Sequence, residues 1–197
     1  MSELRLFAVL LAAGASTRYG AVKQLAAYRG QPLVAHAMRE AEAVCAERTL
    51  LVTGYEGAAV YRAAAPLSGF RVHNDHFADG LAASIACAVR AVSGAADGVL
   101  LMLADQPLVD RRHLAALARR WHAAPQHYVA SAYAGHPGVP AIFPAAAFAE
   151  LRTLRGDSGA RRLLREAGAR LSNVSCEAAA VDVDRPADLA ALGEGGD

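Results

Sequence analysis

At 197 residues the chain is long enough for one α/β domain and short for two. A hydrophobic share of 54% and a mean hydropathy of +0.20 imply a well-filled core with slim, alanine-rich helices. The net charge of +1, with acids and bases interspersed, excludes a basic field for nucleic acid and a polybasic membrane patch. A polyanionic ligand would have to be met by a few placed cations.

Taken in order, strand-like and helix-like segments alternate. Leu6–Leu11 reads as a buried parallel strand. Pro32–Ala46 has helical spacing through Leu33, Ala37, Ala41 and Val44, with proline in the tolerated first turn. Thr49–Thr53 is a strand stopped by Gly54, Glu56–Ala65 a helix ending before Pro66, and Phe70–His73 a short strand. Gly80–Val92 is a helix, Gly98–Leu103 the most apolar strand, and Arg111–His122 a helix. Tyr128–Ala132 and Val139–Phe143 are strands around a Gly/Pro-rich bend. Ser158–Gly168 is a helix, Ala179–Val183 a last strand and Ala187–Leu192 a final helix. This order predicts an α/β fold with a mostly parallel sheet and helices on both faces.

The start of the chain also resembles a short secretory core, Arg5 followed by Leu6–Ala13. Glu3 spoils a basic leader, and cleavage would remove the loop that follows. No apolar run approaches the ~20 residues of a membrane span. Cys45, Cys87 and Cys176 are scattered without C-x-x-C spacing and read as reduced, buried thiols. A soluble, cytoplasmic protein is expected.

The most informative stretch is Leu10–Leu25. A buried strand runs into Ala12, Ala13 and Gly14, then meets Arg18 and Lys23. Small side chains let backbone N–H groups approach a ligand, and two cations suit a polyphosphate. It is neither a Walker A loop nor G-x-G-x-x-G. A plain strand–helix turn spans ~2–6 residues, and the longer gap from Gly14 to Lys23 argues for function.

Asp105, just past the fourth long strand, could ligate a cation such as Mg²⁺, which takes one or two carboxylates plus phosphate and water. Asp110 suits the following helix N-cap better. Asp182 and Asp184 lie at i and i+2 on a predicted strand and share a face. Asp184, at the strand's end, is the candidate second ligand; Asp182 is the alternative. Helix capping ahead of Pro186 competes with that role. His73, Asn74, Gly80 and Ser84 belong to a polar strand end and a helix start that offers free N–H groups. Flexible turns through Gly138, Pro140, Gly156, Asp157 and Arg161 suit a second, phosphate-bearing substrate. Since ligands bind beyond the carboxyl ends of such strands, Gly14–Lys23, His73–Gly80 and Asp105–Pro107 should share one rim.

The ordered set LAAGASTRYGAVKQL, LADQPLV, GVPAIF, GDSGAR and VDVDRPADL spans nearly the whole chain. It resembles the molybdenum cofactor cytidylyltransferase group of the nucleoside-triphosphate transferase superfamily. The resemblance implies a single domain over residues 1–197 with a Rossmann-like three-layer sandwich. It also implies transfer of CMP from CTP to the terminal phosphate of molybdopterin, releasing pyrophosphate with Mg²⁺. Carried onto this chain, Leu11, Ala12, Ala13 and Gly14 meet base and ribose, and Arg18 and Lys23 meet the triphosphate. Asp105 and Asp184 hold the metal, and Gln106 and Pro107 adjoin the acceptor. A molybdoenzyme or its maturation chaperone would receive the product. Guanylyl-transferring relatives carry glycine where this chain has Ala13, and a methyl there narrows the base pocket toward cytosine. Ser158 replaces the lysine usual in the GDKGAR motif, and Phe77 stands where an aromatic, often tryptophan, is usual. The competing readings are transfer of CMP or GMP to another phosphorylated acceptor, and an inactive nucleotide-binding accessory protein.

Overall fold

The computed structural model describes residues 3–65, 67–156 and 160–193. Nine strands are named in chain order: β1 Leu6–Ala12, β2 Ala27–Tyr28, β3 Gln31–Pro32, β4 Thr49–Thr53, β5 Phe70–His73, β6 Gly98–Leu103, β7 Tyr128–Tyr133, β8 His136–Pro144 and β9 Leu171–Ser175. The α-helices are α1 Leu33–Cys45, α2 Gly57–Ala64, α3 Leu81–Val92, α4 Arg111–Ala123, α5 Phe148–Leu151, α6 Arg161–Glu166 and α7 Pro186–Gly193.

Seven strands form one sheet in the order β5-β4-β1-β6-β8-β7-β9, and β2 with β3 makes a separate small hairpin. Only β8 runs against its neighbours; every other adjacent pair in the sheet is parallel. The result is a Rossmann-like, mostly parallel mixed sheet.

Strand alternation decides which helices cover which face. From β1, Leu6, Ala8, Leu10 and Ala12 join α1, α2 and α4 through Val34, Met38, Val60, Leu117 and Trp121. Phe7, Val9 and Leu11 point the other way, toward Ile85 and Val89 of α3, Leu151 of α5 and Leu164 of α6. All seven β1 residues are buried, as a strand covered on both faces requires. A third, smaller cluster of Tyr28, Leu33 and Val183 takes in Tyr19, Leu108, Leu189 and Leu192, seating α7 on the hairpin and on the loop after β1.

The chain leaves β1 toward α1 on one face and re-enters through α3 on the other. Beyond the paired ends of β1 and β6, β1 leads through α1 to β4 on one side and β6 leads through α4 to β7 on the other, which leaves between the two connections the crevice where open α/β sheets bind ligands.

Most predicted elements lie within a residue or two of the observed ones. The expected strand Ala179–Val183 is a correction: Glu177–Ala180 forms a 3-10 turn, and Val181–Asp184 runs on outside the sheet. It is tied down by Val183 N–H donating to the Asp105 carbonyl at 2.8 Å. The edge strand is β9 instead, parallel to β7. Of the expected helix Ser158–Gly168, the first turn lies outside the described residues, and α6 covers Arg161–Glu166. No helix among the described residues is long and apolar enough to cross a membrane.

Candidate active site

A cleft of about 530 Å³ opens above the carboxyl ends of β1 and β6. Its walls come from Leu11 and the loop after β1 (Ala13–Tyr19, then Lys23 and Gln24), from Phe77 and Ala78 in the turn before α3 and Gly80, Leu81 and Ser84 at its start, from Leu103–Asp105, and from Asp184. Parts of the three predicted rim segments thus meet in one space: the Gly14–Lys23 loop, Phe77, Ala78 and Gly80 of the second, and Asp105 of the third.

The loop after β1 holds its shape by an internal brace. Gln24 is buried; its Nε2 donates to the Gly14 carbonyl at 2.9 Å, and its Oε1 accepts from Ser16 Oγ at 3.1 Å. Ser16 sits at φ 55°, a left-handed conformation that costs a non-glycine residue energy and needs local support. Its carbonyl also closes a turn on Tyr19 N–H. Sequence reading assigned Gln24 no role, because nothing in residue spacing reveals a brace to a backbone carbonyl.

At the other end of the loop Lys23 Nζ donates to Asp105 Oδ2 at 2.6 Å and to Asp184 Oδ1 at 3.0 Å. Arg18 Nη1 reaches Asp184 Oδ2 at 2.9 Å. Lys23 is the only lysine among the chain's 20 lysine and arginine residues. Burial pulls its ammonium down, but the two carboxylates outweigh that and hold its pKa above the ordinary value. The hydrogen bond from Lys23 holds Asp184 below the usual carboxylate range. Asp184 is itself positioned from behind. Asp188 Oδ2 accepts from the backbone N–H of Asp184 and Arg185, at 2.9 and 2.8 Å. The capping expected of this segment falls to Asp188, and the Asp184 carboxylate is left to face the cleft.

Asp105 Oδ1 is buried with no hydrogen-bond partner, although its other oxygen is held by Lys23. Among the described residues no group of three or more His, Cys, Asp or Glu side chains forms a metal cluster. Two carboxylates with one uncommitted oxygen suit a hard divalent cation that completes its shell with phosphate and water. Asp182 stands beside this pair. Burial, then the nearby Asp105, push its carboxyl up to about 6.

The other sequence candidates fall in three groups. Leu11, Ala13, Gly14, Gly80 and Ser84 line the cleft, whereas Ala12 turns into the core on the α1 side of the sheet. His73 and Asn74 do not line it: Asn74 is a buried strut donating to Ser84 Oγ at 3.1 Å, and His73 Nδ1 lies 3.3 Å from Thr53 Oγ1. Gln106 is also committed to structure, its Nε2 donating to the carbonyls of Val139 and Ala179 at 3.3 and 2.8 Å. Pro107 offers its carbonyl to His36 at 3.0 Å, and Pro140 accepts from Ser131 Oγ at 2.6 Å. Gly138 is glycine for packing reasons, since a Cβ there would lie 2.2 Å from the Tyr133 hydroxyl oxygen. Gly156 approaches the site indirectly, its carbonyl accepting from Ala82 N–H at the start of α3. Arg161 is exposed at the start of α6; Asp157 and Ser158 lie outside the described residues.

Comparison with known proteins places this geometry. The chain is 32% identical over 168 residues to the purine catabolism protein PucB of Bacillus subtilis (strain 168), covering 81% of this chain and 80% of that protein. Rv0371c from Mycobacterium tuberculosis H37Rv matches with a TM-score of 0.83 at 28% identity, over 99% of this chain and 100% of the other. A complex of Rv0371C with manganese matches at 0.77 and 29% identity, over 98% and 100%. A nucleotidyl transferase from Methanothermobacter thermautotroptrophicus (Mth528) shares the fold, at a TM-score of 0.81 and 24% identity over 96% of each chain. Residues 8–174, which run from β1 to β9 and carry most of the cleft, match the family described as the MobA-like NTP transferase domain, and the chain belongs to that family.

Proposed function

We propose that this protein transfers CMP from CTP to the terminal phosphate of molybdopterin, in the cytoplasm, with release of pyrophosphate and with Mg²⁺ as the cation. The observation that carries the reading is the convergence of Lys23, Arg18, Asp105 and Asp184 on the cleft that the Ala13–Gly14 loop also lines. Phosphoryl-type transfer needs alignment and charge neutralisation more than covalent help. Mg²⁺ held by Asp105 and Asp184 would neutralise the α-phosphate and the departing pyrophosphate.

The chain's own groups divide the remaining work by their burial. Lys23 and Asp105 are the enclosed pair, with side chains 15% and 19% exposed. The Arg18–Asp184 pair is open, at 73% and 45%. Exposed ion pairs are worth about 0–1 kcal/mol, so Arg18 can leave Asp184 for the triphosphate at little cost. Lys23 stays protonated and adjacent, placed to stabilise the leaving group as its charge grows. The attacking phosphate is ionised at neutral pH and needs no general base. The cleft walls accordingly contain neither histidine nor cysteine among the described residues. Ala13 stands in the wall where a base and ribose would lie, and its methyl supports cytosine over the larger guanine.

The test is incubation with each nucleoside triphosphate, Mg²⁺ and molybdopterin, read by pyrophosphate release and product mass. The expected result is a CMP adduct formed from CTP at least about tenfold faster than a GMP adduct from GTP, the scale of one misplaced methyl in a binding pocket. Equal rates with the two nucleotides would remove the Ala13 argument, and no adduct with either would remove the molybdopterin assignment.

A further inference from the structure

One large aromatic beside the cleft, in contact with residues that line it, has no part in the scheme above. Tyr55 and Phe70 are the exposed large hydrophobic side chains, at 41% and 59%. Phe70 begins β5, away from the rim, whereas Tyr55 follows β4 on the rim itself. Its backbone N–H donates to the Ala13 carbonyl at 3.1 Å, which ties it to the small-residue end of the loop. Its ring meets Phe77 edge-on, with centroids 6.2 Å apart and planes at 62°, and Phe77 lines the cleft.

Gly54 makes this contact possible. A Cβ there would lie 2.5 Å from Phe77 Cβ and 2.7 Å from the Ala13 carbonyl oxygen. The end of β4, the loop and Phe77 are therefore pressed together, and Tyr55 is carried on a fixed support. The cleft lining is of two kinds: Arg18 and Lys23 offer cations for the anionic part of a ligand, and Ala13 and Phe77 offer apolar and aromatic surface, with Tyr55 just outside the lining and in contact with both of the latter.

We propose that Tyr55, backed by Phe77, is the stacking ledge for the nucleobase and a specificity-determining residue of this cleft. The proposal rests on the nucleotide-transfer reading. An edge-on partner occupies at most one face of the tyrosine ring, so a planar heterocycle can lie against the other. A nitrogen heterocycle carrying phosphates could come from the nucleotide or from a pterin acceptor. The tie to Ala13, in the loop that leads to Lys23, assigns the ledge to the nucleotide.

Calorimetric titration of the full chain with CTP and, separately, with tripolyphosphate, both with Mg²⁺, tests this. Tyr55→Leu should weaken CTP binding about tenfold, the scale of one base–aromatic stack, and leave tripolyphosphate binding unchanged. Tyr55→Phe should bind CTP like the parent protein, since the ring face is kept. Because Tyr55 is exposed, neither change removes core packing. Unchanged CTP affinity in Tyr55→Leu would overturn the ledge. So would equal weakening of both ligands, which would mean a disturbed loop. A raised KM for molybdopterin alone would move the ledge to the acceptor and overturn its assignment to the base. If the parent protein binds tripolyphosphate but not CTP, the ledge is wrong; if it binds neither, the nucleotide reading itself fails.

Discussion

Two acid–base clusters in this molecule use the same chemistry to opposite ends. Between α1 and α4, Glu40 is buried and saturated: Arg111 gives it a backbone N–H at 2.6 Å, Nε at 3.0 Å and Nη2 at 2.8 Å, over both carboxylate oxygens. In the cleft, Lys23 is shared by two carboxylates, and Asp105 keeps one buried oxygen without a partner. A saturated pair is a clamp with no capacity left for a ligand. An undersatisfied cluster facing a cavity is poised to exchange partners, as a site that must take up a cation and a polyphosphate requires.

The comparison is broken most severely at Asp105. Asp105→Ala should lower the rate of pyrophosphate release at least about a hundredfold, or roughly 3 kcal/mol of transition-state stabilisation, with the thermal midpoint little changed. Near-normal turnover would remove Asp105 from the site's chemistry. Lys23→Arg comes next. The guanidinium is a planar fork and cannot occupy the point between Asp105 and Asp184 that a compact ammonium fills. Activity should fall about tenfold or more although the charge is retained, and full activity would mean that only net charge matters there.

Glu40→Ala should do the converse. Breaking a buried pair costs about 3–5 kcal/mol. With Arg111 half-exposed at 52%, roughly 2 kcal/mol is expected in denaturant unfolding, with kcat retained. A variant as stable as the parent would show that the clamp holds nothing.

The smallest effect is a pH signature of opposite sign in the two clusters. Hydrogen bonds from Arg111 hold Glu40 below the usual carboxylate range, so its stabilisation is present above that range and is lost as pH falls through the lowered value. Asp182 is raised from 3.8 to about 6, so in that window the folded chain holds a proton that the unfolded chain has released. Its effect is therefore a decline in stability as pH rises from about 4 to about 6. Asp182→Asn should flatten that decline, and Glu40→Ala should flatten the acid limb below it. An unchanged curve in Asp182→Asn would show that this carboxyl titrates in its ordinary range.

The alternation of apolar strands with helical spacing was legible because the sheet is covered on both faces. Strands such as β1 and β6 then become continuous apolar runs. β9 escaped because it is an edge strand: Leu171-Ser172-Asn173-Val174-Ser175 is half exposed and reads as polar. The stretch Ala179–Val183 read as a strand because it is mostly apolar, yet Ala179 fills the core on the α1 and α4 side and Val183 packs beneath α7 and the hairpin, and neither joins a ladder. In the cleft, residues on the loops after β1 and β6 were legible from their place beyond strand ends. Gln24, Glu40, Asp188 and Tyr55 were not. Gln24, Glu40 and Tyr55 act through partners that spacing does not reveal, a backbone carbonyl, an arginine 71 residues away and a ring on another loop, whereas Asp188 takes over a capping role that was expected of Asp184. For Gln106 the resemblance implied contact with the acceptor, whereas its amide is spent on two backbone carbonyls.

Since Lys23 is the chain's only lysine, isotope-labelled lysine yields a single ε-methylene signal in a magnetic resonance spectrum of the whole protein. Titration with Mg²⁺ and CTP should move that signal in a saturable way, and tripolyphosphate with Mg²⁺ should move it similarly, because both bring cation and phosphate charge against the ammonium that Lys23 holds beside the carboxylates. A signal that stays in place at saturating Mg²⁺ and CTP would contradict the claim that this cleft handles a metal–triphosphate.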